Sequence, residues 1–155
     1  MINMYVQGIT LDPVTNMPIV VLKGDDSDDV LPIWIGVFEA NAIAMQLEGV
    51  TRPRPMTHDL INSIINSLGA KVDHIYIHSL EDNTFFAEIV FNKNGETIKI
   101  DSRPSDAINV ALRSNAPIFV AEEVLEKASL NHMSDKSDEE IQEWLESIKP
   151  EDFEG

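Results

Sequence analysis

The stretch that decides the fold reads FFAEIVFNKNGETIKIDSRPSDAINVALR and covers residues 85–113. Two runs rich in Val, Ile and Phe flank Asn94-Gly95, a dipeptide typical of a tight β-hairpin. An Arg103-Pro104 step follows the second run, and proline is favoured at the first position of a helix. Apolar residues then recur every three or four positions to the end of the stretch. The stretch therefore predicts two antiparallel strands followed by a helix.

The same order of elements is predicted twice along the chain. In the first half, strand-like runs precede two helical patterns: residues 5–11, 19–23 and 31–35, then 37–48 and 57–69. The apolar residues of the second helical pattern are spaced to cover a core: Leu60, Ile61, Ile64, Ile65 and Leu68. In the second half, a strand at 72–78 precedes the hairpin, and a short run and a short helix follow at 117–120 and 122–127. Each half therefore reads as a β3α2 unit.

The two halves also share residues at equivalent positions. A shift of 65 residues aligns five identities in a gapless window of fifteen: Ile33 with Ile98, Ile35 with Ile100, Ala42 with Ala107, Ile43 with Ile108 and Leu47 with Leu112. Self-similarity of this kind indicates an internal duplication. We therefore expect an α+β fold in which residues 1–127 form a single domain of two duplicated β3α2 units. The Ile and Leu members of these pairs should all be buried in its one core.

Composition and charge exclude several classes of function. The chain has 155 residues, no cysteine and a formal net charge of −16, so disulfides and thiolate metal sites are excluded. The first residues, Met1 to Tyr5, do not have the basic character of a leader, and the longest apolar run is too short to span a bilayer. We therefore expect a cytoplasmic protein without membrane segments. Nucleotide-binding glycine loops and a serine-hydrolase elbow are also missing. Because affinity for polyanions comes mainly from Lys and Arg, the charge argues against a general nucleic-acid binder.

An acidic tail, residues 128–155, differs in character from the domain. From residue 121 to the end there are 12 acidic and 3 basic residues. A capping-box pattern that begins at Ser137 predicts a helix at residues 138–149 after a polar linker. That helix would carry one apolar stripe: Ile141, Trp144, Leu145 and Ile148. We expect the stripe to pack on its own domain, on a sister subunit or on a protein partner.

Three of the four arginines of the chain lie close to two predicted helix starts. Arg52 and Arg54 precede one helix, Arg103 opens the next, and Arg113 lies near that helix's end. The first turn of a helix presents free backbone N–H groups and a partial positive charge, to which nearby guanidiniums add. The two helix starts therefore predict a site for phosphate or carboxylate groups.

Three segments carry a family resemblance: LPIWIG with Glu39-Ala40 at residues 31–40, RPMTHDL at 54–60 and DSRPSDAI at 101–108. Together they resemble the bifunctional nuclease domain family, over about residues 1–127. The resemblance implies a domain named for cleaving both DNA and RNA. It implies a function but no set of catalytic residues.

Phosphodiester hydrolysis needs charge stabilisation on the phosphoryl oxygens, an activated water and an acid for the leaving group. Carboxylate-held metal ions, here expected to be Mg²⁺ or Mn²⁺, commonly supply these together with Arg, Lys or His. The candidates for proton or metal chemistry are Glu39, His58, Asp59, Asp101 and Asp106, and those for binding nucleic acid are Arg52, Arg54 and Arg103. A structural interpretation stays open, because first-turn aspartates often cap helices and arginines would clamp the two halves together.

Two functions of different classes follow from these residues. The first is a nuclease that hydrolyses phosphodiester bonds of DNA and RNA with metal assistance. The second is a non-catalytic oligomeric interaction module whose Arg-Pro helix starts bind an acidic partner or bridge subunits. Because two fused sheet units leave edge strands that another subunit could cover, we also predict a homo-oligomer, most simply a two-fold dimer.

Overall fold

The predicted strands are all present in the structure, a computed structural model that describes residues 1–133. The elements in chain order are β1 (Ile2–Leu11), β2 (Pro18–Gly24), β3 (Val30–Trp34), α1 (Val37–Leu47), α2 (Thr57–Ser67), β4 (Lys71–Glu81), β5 (Thr84–Lys93), β6 (Glu96–Ser102), α3 (Pro104–Ser114), β7 (Ile118–Val120) and α4 (Glu122–Met133). The fold is α+β in a single domain, as predicted. The tail helix predicted at residues 138–149 lies outside the described residues. Within residues 1–133, no helix is both long and apolar enough to cross a membrane.

The strands of residues 1–133 form one seven-stranded sheet in the order β3-β2-β1-β7-β4-β5-β6. Strands β4 and β7 run parallel, and the other neighbours run antiparallel. Strand β7 therefore joins the three strands of the first half to the three strands of the second, and the order is symmetric about it. This order is compatible with two duplicated halves lying side by side, but their common origin stays a prediction.

Two tight turns connect the strands of the second half. Asn94 and Gly95 have positive φ angles of 53° and 84°, which confirms the hairpin predicted between β5 and β6. Asp82 and Asn83, with φ of 50° and 62°, form a turn of the same kind between β4 and β5. This second turn was not predicted, although Asp and Asn adopt left-handed backbone more readily than other residues with side chains.

The core lies between one face of the sheet and helices α1 and α3, which pack against each other. Of the residues predicted to be buried, Ile33, Ile35, Ile43 and Ile108 are buried, and Ile98 and Leu112 are partly buried against the core. The prediction was wrong for Leu47 and Ile100, which are both exposed. Leu47 lies at the C-terminal end of α1, and Ile100 lies on edge strand β6, where it lines a cleft.

Helix α2 departs most from the prediction. Its apolar residues were expected to cover the core, but its only buried residue is His58. The apolar side chains are partly buried at Ile61 and Ile65, and exposed at Leu60, Ile64 and Leu68. The helix packs mainly on α3. One apolar flank of α2 therefore lines a cleft, and the other lies in solvent.

Helix α4 extends farther than predicted. It begins at Glu122, as expected, but continues to Met133 instead of ending at Lys127. Val124 and Ala128 are buried in the core, which holds the helix against the domain. Residues 128–133 therefore continue a helix where a polar linker was predicted.

Candidate active site

A cleft with a volume of about 940 Å³ opens between helix α2 and the outer part of the sheet. Apolar side chains from α2, β5 and β6 form much of its wall: Ile61, Ile64, Ile65, Ile89, Phe91 and Ile100. Polar side chains from three helix starts and from the end of β6 also line it: Glu39, His58, Asp101, Arg103 and Asp106. The fold therefore brings five of the eight predicted site residues to one cleft.

Local sequence explains why the helix starts present these residues. Pro104 occupies the first turn of α3, with Arg103 at the N-cap and Asp106 in the first turn. Glu39 lies in the first turn of α1, and a Cβ added at Gly36 would collide with its carboxylate. Because α1 and α3 pack against each other, Arg103 can reach both first-turn carboxylates.

Four of these side chains, Glu39, His58, Arg103 and Asp106, are bonded to one another, and we call them the cleft network. Arg103 donates from Nε to Asp106 Oδ2 at 2.9 Å and from Nη2 to Asp106 Oδ1 at 3.1 Å. The same Nη2 donates to Glu39 Oε1 at 3.0 Å. His58 Nε2 lies 2.8 Å from Asp106 Oδ1. Asp106 thus connects a histidine of α2 with an arginine at the start of α3.

The charges of the cleft network set the roles of its hydrogen-bonding atoms. Burial raises the pKa of Asp106, but hydrogen bonds from Arg103 and His58 outweigh burial and hold that pKa below its ordinary value. The ionised carboxylate can only accept hydrogen bonds, so His58 Nε2 carries the hydrogen of their bond. In a neutral imidazole, Nδ1 is then the acceptor nitrogen. Hydrogen bonds to Asp106 and Glu39 raise the pKa of Arg103, which stays a cation.

Asp59 belongs to a second network with Arg52 and Arg113, which we call the Asp59 clamp. Arg52 donates to both oxygens of Asp59 at 2.7 Å, and Arg113 Nε donates to Asp59 Oδ1 at 2.7 Å. Asp59 Oδ2 also accepts a hydrogen bond from the Met56 N–H at 2.9 Å and so caps the start of α2. Burial would raise the pKa of Asp59, but the bonds from Arg52, Met56 and Arg113 outweigh it, and the pKa falls far below its ordinary range. This geometry favours the structural interpretation of Asp59, a cap and an ion pair.

Arg113 anchors the clamp, although it was not among the predicted site residues. Its side chain is 4% exposed. It donates to both oxygens of Asn109 at 3.1 and 3.0 Å and to the Ala42 carbonyl at 3.3 Å. The buried Asn109 donates in turn to the Glu39 carbonyl at 3.2 Å. The contact between Asn109 and Arg113 could have been predicted from their spacing, because residues four apart lie on the same face of a helix.

Asp101 and Arg54 lie outside both networks. Asp101 is exposed at the end of β6 and lines the cleft, whereas Arg54 is exposed in the segment before α2 and is not among the residues that line it. In the described part of the chain, neither side chain makes a hydrogen bond or an ion pair. Of the eight predicted site residues, three do not line the cleft: Arg52, Arg54 and Asp59.

The cleft contains more carboxylates than cations. Glu39, Asp101 and Asp106 line it together with a single guanidinium, that of Arg103. Among residues 1–133, no group of three or more His, Asp or Glu side chains is arranged to hold a metal ion. Mg²⁺ is often held by one or two carboxylates together with substrate phosphates. The unpaired, exposed Asp101 suits that mode of binding. Residues 1–133 do not form a preformed metal site made of protein ligands alone.

Comparison with known sequences gives consistent matches. The bifunctional nuclease domain matches residues 20–133, a range that contains the cleft network and the Asp59 clamp. An uncharacterized protein of Mycobacterium tuberculosis (strain H37Rv) is 41% identical over 160 residues, which is 96% of this chain and 95% of that protein. Bifunctional nuclease 2 of Oryza sativa subsp. japonica is 30% identical and bifunctional nuclease 1 of Arabidopsis thaliana is 29% identical. Each of these plant matches covers 74% of this chain but only 36% of the plant protein.

Proposed function

This chain belongs to the bifunctional nuclease domain family, and on that premise we propose that it hydrolyses phosphodiester bonds of DNA and RNA in the cleft. One observation carries the proposal: His58 and Asp106 form a pair at 2.8 Å, beside the guanidinium of Arg103. A histidine oriented by a carboxylate is a common general base, and an adjacent guanidinium stabilises negative charge on a phosphoryl group. Nucleic acid is the partner that this reaction requires.

Each member of the cleft network has a role in the proposed reaction. Asp106 accepts the hydrogen bond from His58 Nε2 and so keeps the hydrogen of the neutral ring on that nitrogen. Its negative charge also stabilises the imidazolium that forms when His58 accepts a proton. His58 accepts a proton at Nδ1 from the attacking water, whose oxygen bonds to phosphorus. The bond from phosphorus to the leaving oxygen breaks, and the leaving oxygen takes a proton from water in the cleft. Arg103 donates to the phosphoryl oxygens through Nη1, which bonds to none of residues 1–133. Glu39 holds the guanidinium of Arg103 in position.

A divalent cation, Mg²⁺ or Mn²⁺, is part of this proposal. A phosphodiester in the cleft would add negative charge beside three carboxylates and one guanidinium, so additional positive charge favours its binding. The unpaired Asp101 would hold the cation together with oxygens of the substrate. When bound, it would neutralise phosphoryl charge and lower the pKa of a bound water.

Cleavage assays test the proposal directly. The purified full chain is incubated with short single-stranded RNA and DNA in Mg²⁺, in Mn²⁺ or in EDTA, beside Asp106→Asn. We expect cleavage that needs the cation and is lost in the variant. Cleavage that persists in Asp106→Asn at the wild-type rate would indicate a contaminating nuclease and contradict the proposal.

Arg103→Ala should weaken nucleic-acid binding and flatten its dependence on salt. Loss of one phosphate contact lowers the slope of log affinity against log salt by about one. The alanine also removes the cation beside Glu39 and Asp106, which adds repulsion. Fluorescence anisotropy over a salt series measures both effects, with Arg103→Lys as the variant that keeps the charge. A slope identical to that of the wild type would show that Arg103 does not contact phosphate.

A second function, the oligomeric interaction module, is favoured by the pairing of Arg103. Its ion pairs with Glu39 and Asp106 join the starts of α1 and α3 and have the form of a structural clamp. The exposed Arg54 would then bind a carboxylate of an acidic partner. A folded protein that cleaves neither RNA nor DNA with any of the cations, but binds acidic peptides, would support this second function.

Removal of residues 134–155 should raise the affinity for DNA and RNA at low salt. These residues include nine acidic and two basic side chains, which repel a polyanion. The truncation follows Met133, because α4 continues past Lys127. Binding measured at low and high salt tests the effect, which should shrink as salt screens the tail. Equal affinities of the full and truncated chains at low salt would rule out this shielding role.

Other properties stay predictions from the sequence. These are the cytoplasmic location, the homo-oligomer and a protein partner for the tail helix 138–149. Sedimentation and pull-down with the isolated tail peptide address the last two.

A further inference from the structure

Phe38 is the most exposed large apolar side chain among residues 1–133. It lies in the first turn of α1 and is 87% exposed, although aromatic rings usually lie in cores and interfaces. The same side chain lines the cleft, together with His58 and Arg103. An exposed aromatic ring beside a phosphate-binding group is suited to stack on a planar ligand.

Asn41 lies three residues after Phe38 on α1 and also lines the cleft. Residues three apart are neighbours on a helix surface, so the amide lies beside the ring. Asn41 is exposed, and its side chain bonds to none of residues 1–133. Its amide offers an acceptor oxygen and two donor hydrogens. One face of α1 therefore presents a ring for stacking and a group that can both donate and accept hydrogen bonds.

The start of α3 presents a charged pair at the matching positions. The shift of 65 residues that aligns the two halves places Phe38 on Arg103 and Asn41 on Asp106. Helices α1 and α3 pack against each other, and both pairs line the same cleft. Glu39, the next residue after Phe38, accepts a hydrogen bond from Arg103 at 3.0 Å. The guanidinium suits a phosphate, whereas the ring and the amide suit a nucleobase, so the two helix starts together match one nucleotide.

The charge of the cleft also favours contacts to nucleobases. Arg103 is the only guanidinium among the described residues that line it, beside three carboxylates. Because affinity that comes from phosphate contacts requires cationic side chains, one guanidinium supplies little of it. Stacking on an aromatic ring needs no charge. It does need a nucleobase that can leave its own stack, and this favours a single strand over a duplex.

We propose that Phe38 and Asn41 form a subsite for one unpaired nucleobase of a single-stranded DNA or RNA, whose phosphate binds Arg103. The face of the nucleobase stacks on the ring of Phe38, and its edge bonds to the amide of Asn41. The subsite rests on the nucleic-acid binding proposed above, and it adds a selection of single strands over duplexes.

Binding of matched oligonucleotides to the full chain tests the subsite. Fluorescence anisotropy at low salt in EDTA, where we expect no cleavage, compares a short single-stranded DNA with its duplex and with the same strand made of abasic nucleotides. The duplex should bind more weakly than the intact single strand. Phe38→Ala should weaken binding of the intact strand about 5–150-fold, the usual range for the loss of one stacked nucleobase, and leave binding of the abasic strand unchanged. Asn41→Ala should weaken binding of the intact strand alone, by about 2–10-fold.

Phe86→Ala is the matched control, because Phe86 is 37% exposed on β5 and does not line the cleft. It should bind the intact strand as the wild type does. Phe38→Trp keeps an aromatic face and should also bind like the wild type. Phe38→Leu keeps only apolar bulk and should behave like Phe38→Ala. Circular dichroism checks that each variant is folded.

Cleavage kinetics separate failure of the subsite from failure of the proposed hydrolysis. Stacking is the same in the bound substrate and in the transition state, so Phe38→Ala should raise KM for a single strand and leave kcat unchanged. A protein that binds the oligonucleotides as expected but cleaves neither RNA nor DNA would contradict the hydrolysis and still support the subsite.

Four results would overturn the subsite. One is a Phe38→Ala variant that binds the intact strand as tightly as the wild type. Another is an equal loss for the intact and the abasic strand, since the ring would then not contact a nucleobase. The third is a duplex that binds as tightly as the single strand. The fourth is a Phe38→Ala variant that sediments differently from the wild type, since the ring would then belong to a contact between subunits.

Discussion

Replacing Asp106 by asparagine is expected to lower kcat for nucleic-acid cleavage by about 10²–10⁴-fold, the usual contribution of general acid–base groups. The amide keeps the size of the side chain but removes the carboxylate that orients His58. His58→Ala should cause a loss of the same order. Because the two residues act as a unit, the double variant should lose little more than either single variant. Steady-state kinetics on RNA and DNA oligonucleotides measure kcat, and binding assays should show a much smaller change in affinity.

Asp73 and His74 on strand β4 provide a matched control for the pair formed by His58 and Asp106. His74 Nδ1 is 2.5 Å from Asp73 Oδ2, so the same two residue types are bonded outside the cleft. Asp73→Asn and His74→Ala should leave kcat unchanged. Equal losses from the two pairs would contradict a specific role for His58 and Asp106. Thermal melts of all four variants show whether any loss of activity reflects unfolding.

Replacing Asp59 by alanine is expected to lower the free energy of unfolding by up to about 3–5 kcal/mol, the cost of removing one partner of a fully buried ion pair, since the side chain of Asp59 is 17% exposed. Arg113 is 4% exposed and would lose the carboxylate with which it is paired. Arg52 would lose the same partner, and α2 would lose its cap at the Met56 N–H. Urea denaturation monitored by circular dichroism gives the change in free energy.

Asp101→Ala is the matched control, because it removes a carboxylate that lies outside both networks. Its effect on the free energy of unfolding should stay within about 0.5 kcal/mol, as for most surface substitutions. Losses of equal size at Asp59 and Asp101 would contradict the structural role of the clamp.

The stabilisation from Asp59 should also depend on pH in a defined direction. The folded-state pKa of Asp59 lies below the unfolded value of about 3.9. Its contribution is therefore complete above the unfolded pKa and is lost as pH falls through the folded pKa, because the unfolded chain binds the proton first. The wild type and Asp59→Ala should differ most in stability near neutral pH and converge in strong acid.

Neighbouring residues in the sequence can belong to different networks. His58 and Asp59 are adjacent, but successive helix residues point about 100° apart. His58 therefore joins Asp106 in the cleft, whereas Asp59 joins Arg52 and Arg113. Grouping candidates by segment was enough to find both residues, but it could not separate a cleft residue from a structural one.

The apolar pattern of α2 shows a similar limit. The spacing of Leu60, Ile61, Ile64, Ile65 and Leu68 correctly predicts a helix. It does not say what each side chain contacts, because a stripe that packs on its own core and one that lines a cleft have the same period. The expected burial was therefore wrong for the exposed part of this stripe.

The sequence by itself determined the local elements of this protein. The Asn94-Gly95 hairpin and the Arg103-Pro104 helix start depend on backbone preferences within a few residues, so they could be predicted without knowledge of the fold. Only the tertiary structure decided that β7 lies between β1 and β4, and that His58 meets Asp106 across 48 residues of chain. The position of β7 depends on strand pairing between distant segments, and the meeting of His58 with Asp106 depends on how α2 packs on α3. Both are set by the shapes of many side chains together and not by any local pattern.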